Sequence, residues 1–196
     1  MYLKNLFDAV SQTTLMPLEI SELAAELVRV GCQDQITFIP VDVDPREVRG
    51  IFYRYTQHPR PYADPELVTL IVYSKNIPLD LQRIVCCKEL IHTCDSDVER
   101  TNTEEEVQGL LDKLLGPLST EDFGMADIMA AKDKLALYQA LSIVFPDSAR
   151  EQARELIAEG RKTVADVARW VCLPVGLVEL VLGDEWLQIR DVIITL

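Results

Sequence analysis

Apolar positions change their period along this chain in a definite order. Over residues 17–30 (PLEISELAAELVRV), Ile20, Leu23, Ala24, Leu27 and Val28 recur at helical spacing, and Gly31 follows as a natural helix-closing residue. This predicts an amphipathic helix. Residues 36–41 (ITFIPV) and 50–56 (GIFYRYT) are rich in β-branched and aromatic side chains, which fit a pleated, half-buried surface. They predict two strands, with DVDPREVR turning between them. After the proline-rich loop QHPRPYADP, residues 67–73 (LVTLIVY) are almost continuously apolar, the pattern of a strand buried on both faces.

Helical periodicity then takes over. Between 79 and 93, Leu81, Ile84, Val85, Leu90 and Ile91 lie on related faces. CDSDVERTNT is a polar loop. A further helix is expected from about Thr103, where three glutamates complement the helix dipole, through VQGLLDKLL to Gly116-Pro117. AAKDKLALYQALSIVF reads as a helix ending at Pro146. DSAREQARELIAEG reads as another, capped by Asp147 or Ser148 at its start and by Gly160 at its end. TVADVARWVCLPVGLVELVL predicts two short helices around Leu173-Pro174, and WLQIRDVIITL reads as a last strand or a packed extension. One helix, three strands and then helices argue for an α+β fold. The expected division is an α+β domain over 1–118 and a helical C-terminal region over 119–196 that contains a helix-turn-helix-like pair.

Composition narrows the functions. The 196 residues are 48% hydrophobic, enough for a sizeable core. Thirty-two acids against 19 bases give a net charge of −13, which disfavours binding to nucleic acid or an anionic membrane. The second helix of the C-terminal pair carries Glu179 and no base, so it lacks the side chains that read DNA. No window holds ~18 uninterrupted apolar residues, and MYLKNLFDAV lacks a basic start followed by a long apolar stretch. Neither a membrane span nor a secretory signal is expected. Five cysteines, two of them adjacent at Cys86 and Cys87, do not form a disulfide framework and fit a reducing cytoplasm.

The chemistry-bearing stretch is Arg83-Ile-Val-Cys-Cys-Lys88-Glu89-Leu-Ile-His92. In H-E-x-x-H, two histidines four apart on one helix face bind a zinc ion, and the glutamate serves as general base on the metal-bound water. Here Glu89 and His92 hold the second and fifth positions, and Lys88 stands where the first histidine would be. An ammonium has three donors and no lone pair, so it cannot ligate a metal. Cys86, Cys87 and Cys94 project around different sides of the helix and read as packed thiols. His58 reads as an exposed loop residue, and Tyr53, Tyr55 and Tyr62 as strand packing, with the lining of a groove below the motif helix as the alternative.

The order of a buried strand, a short loop, an arginine, the K-E-L-I-H helix and an acidic helix ending L-L-G-P resembles the ImmA/IrrE metallopeptidase family. Arg83 matches the arginine five positions before that family's motif, and Leu114, Leu115 and Pro117 match its L-L-x-P ending. The likeness covers about 17–117 and continues loosely into the C-terminal helical pair. It implies a zincin-like minimal core, consisting of an N-terminal helix, a small three-stranded sheet and the motif helix. By resemblance, Glu89 is a vestigial general base, His92 and Glu106 are vestigial metal ligands, and Arg83 is a structural support. Glu104 and Glu105 are register alternatives to Glu106. Lys88 for histidine, Ile91 for glycine and Leu110-Leu111 for the family's F-A pair depart from its pattern.

The expected function is a catalytically inactive metallopeptidase-like protein that binds a protein partner, of which a helix-turn-helix repressor is the type the resemblance suggests. No cofactor is expected, and zinc only if the site works. The alternatives are an active zinc endopeptidase with a non-standard ligand set, and a structural or assembly protein with no peptidase relation. Lys88 is expected to fill the place of the missing cation, pairing with Glu89 or Glu106.

Overall fold

A computed structural model describes residues 2–60, 64–94 and 125–194. Tyr2–Val10 form α1, unassigned by periodicity above, which buries Leu6, Phe7 and Val10 on one face. The predicted amphipathic helix is α2, Ile20–Arg29, burying Leu23, Ala24 and Leu27. Gly31 follows at φ +120°, a conformation that disfavours a side chain.

All three strands form where β-branched and aromatic residues concentrate: β1 (Gln35–Val41), β2 (Gly50–Gln57) and β3 (Glu66–Ser74). The spatial order is β1-β3-β2, with β3 parallel to β1 and antiparallel to β2. Phe38 and Phe52 both sit opposite Ile71, which fixes one face of the sheet toward the interior. The apolar run of β3 is accounted for by its central position. Its outer face, however, is not fully buried: Val68 is buried, but Leu70 and Val72 are only half-buried.

The motif helix α3 (Leu79–Ile91) lies between this sheet and α4 (Met125–Val144). It buries Arg83, Ile84, Cys86, Cys87, Glu89, Leu90 and Ile91, so its apolar residues do not form the single stripe of a surface helix. A short 3₁₀ turn, His92–Cys94, follows.

Helix α5 (Asp147–Ala158) has Pro146 at its N-cap and no side-chain cap bond. The expected cap by Asp147 or Ser148 is therefore not formed. Asp147 is the first helical residue, and its carboxylate pairs with Arg190. Helices α6 (Val164–Val171) and α7 (Val175–Leu182) are the predicted pair; Thr163 and Asp166 form a reciprocal capping box at the start of α6. The tail is a helix, α8 (Trp186–Ile194), and not a strand. Trp186 and Ile193 are buried seven residues apart, two helical turns on one face.

The protein is thus a mixed α+β fold with a small three-stranded sheet. The expected boundary at 118/119 lies outside the described residues. The described elements before and after it share one core, in which Leu6, Leu27, Ile71 and Leu90 join Leu141, Val171 and Trp186. No helix among the described residues is long and apolar enough to cross a membrane.

Candidate functional site

Three of the predicted site residues fall on the last turn and a half of α3 and its extension. Lys88 and Glu89 are helical, and His92 is the first residue of the 3₁₀ turn. Lys88 Nζ lies 3.2 Å from Glu89 Oε1, with side-chain exposures of 19% and 7%. A carboxylate so shielded from water requires a cationic or hydrogen-bonding partner, and Lys88 supplies the cation.

Strand β2 provides the wall. A Cβ added at Gly50 would come within 2.4 Å of Val85 Cγ1, 3.1 Å of Glu89 Cγ and 3.2 Å of Glu89 Oε1. Only glycine lets the strand lie this close over the carboxylate. Two residues along, the Phe52 and His92 rings are tilted at 51° with centroids 6.1 Å apart. Glu89 and His92 therefore face the same strand, at points about 7 Å apart along it. Tyr62, Glu106, Glu104 and Glu105, Leu110-Leu111, and the L-L-G-P ending lie outside the described residues.

Arg83 is buried five residues before Lys88. Its guanidinium donates to the Leu18 carbonyl and lies 3.5 Å from Glu19 Oε2, tying α3 to the turn before α2. Ile91, at the position of the family's glycine, is buried in the core. On the far side of α3, Cys87 Sγ donates to the Ala140 carbonyl at 3.9 Å, linking the motif helix to α4. Burial, and then the neighbouring Glu89 charge, push the Cys86 thiol up to about 12. Burial likewise raises the Cys87 thiol. Both are packed thiols held toward the protonated form, and all five cysteines are free.

Of the expected metal ligands, His92 is described and Glu106 lies outside the described residues, while Lys88 stands at the replaced ligand position. Lys88 has no lone pair in its charged form, and Glu89 is engaged by it. Among the described residues, no group of three or more His, Cys, Asp or Glu side chains comes together to hold a metal.

Two features went unnoticed in the sequence. Gly50 is one, because a glycine opening a strand carries no mark of what it packs against. The other is a buried polar knot beneath the sheet, where Asp34 accepts from Arg54 Nη2 at 2.5 Å and from Thr69 Oγ1 at 2.6 Å. The Asp34 side chain is fully buried, and the knot joins the entry to β1 with β2 and β3. Tyr53, read as strand packing, is instead 59% exposed and stacks on Tyr55 at 5.7 Å. His58 lies in the exposed loop after β2, as its position implies.

Compared with known protein families, with curated proteins and with solved structures, the chain gives no match.

Proposed function

We propose that this chain is a catalytically inactive relative of the ImmA/IrrE-type metallopeptidases, with a zincin-like core, that acts by binding a protein partner. The reading is carried by the Lys88–Glu89 pair, a shielded ammonium 3.2 Å from a buried carboxylate. In an active site of that class the glutamate would take a proton from a metal-bound water. Here an amine has replaced a nitrogen ligand and holds the glutamate, so both the metal and the base are lost together. Glu89 and His92 keep their placement against β2, which supports descent from a working site. A helix-turn-helix repressor is the kind of partner this reading favours, bound as a protein and not cleaved.

Metal analysis of purified protein tests it directly. Zinc well below stoichiometric after mild dialysis is expected, and a full equivalent would overturn the reading. Lys88→His should raise zinc affinity in calorimetry, because it restores a lone pair at the vacated position. No gain would show that the ancestral geometry is absent. Capture of a partner from the source cells, without fragments of it in mass spectrometry, tests binding without cleavage.

A further inference from the structure

We draw no further inference here: the strongest candidate, the cavity where the ends of α1 and α4 and the start of α5 meet α8, lined by Asp8, Asp147, Arg190 and Asp191, is an acidic cluster whose carboxylates are already held by Lys4 and Arg190, and nothing among the described residues points to a ligand there.

Discussion

Replacing Lys88 by Met removes the ammonium and keeps most of the stem's volume. Glu89 then remains with its side chain 7% exposed, beneath Gly50 and Val85, and without the cation now 3.2 Å away. Breaking a buried ion pair from one side costs about 3–5 kcal/mol, because a charge is left in a poorly solvated place. Lys88 is 19% exposed, so water reaches the vacated position and the cost falls to the bottom of that range or just below it, about 2–3 kcal/mol. For a chain of this size each kcal/mol moves the melting temperature by about 2–4 °C, giving a fall of about 4–12 °C. The companion Lys88→Met/Glu89→Gln removes both charges and should return to within about 1 kcal/mol of the wild type. Urea denaturation followed by far-ultraviolet circular dichroism, run on the wild type, both single variants and the double, closes the cycle. A Lys88→Met loss under about 0.5 kcal/mol, or a cycle with no coupling, would mean that the lysine is not the cation of this site.

Gly50→Ala should destabilise by about 1–3 kcal/mol in the same assay, since the new methyl overlaps Val85 Cγ1 and strand or helix must shift. Cys172, at φ 54° and ψ 56°, closes α6 in the left-handed conformation that glycine adopts without strain. Cys172→Gly should stabilise by about 0.5–1 kcal/mol after the flexibility glycine adds to the unfolded chain, measured by thermal denaturation. The Cys86 thiol, raised from 9.0 to about 12, keeps its proton in the fold after the unfolded chain has lost it. Its contribution is therefore complete below about pH 9 and is lost as pH rises toward 12, so denaturant midpoints should fall through that window. At pH 8 a thiol reagent should label native Cys94 and Cys172, which are half-buried, well before the buried Cys32, Cys86 and Cys87.

Local pattern alone determined the α2 helix, all three strands, the extent of α3 to within two residues and the α6–α7 pair. In each, the period of apolar residues or a Gly or Pro stop acts within a few neighbours, so the information is contiguous. It also brought Lys88, Glu89 and His92 onto one helix end, because residues three and four apart share a helix face. Tertiary structure decided the rest. The tail became a helix because Trp186 and Ile193 found the core, a choice that a short apolar run leaves open. Asp147 gave up capping to pair with Arg190, 43 residues away. Glu89 is shielded by Gly50, and Asp34 is matched by Arg54 and Thr69, because the order β1-β3-β2 brings separate segments together. Burial and charge pairing depend on which distant residues become neighbours, and no local period encodes that.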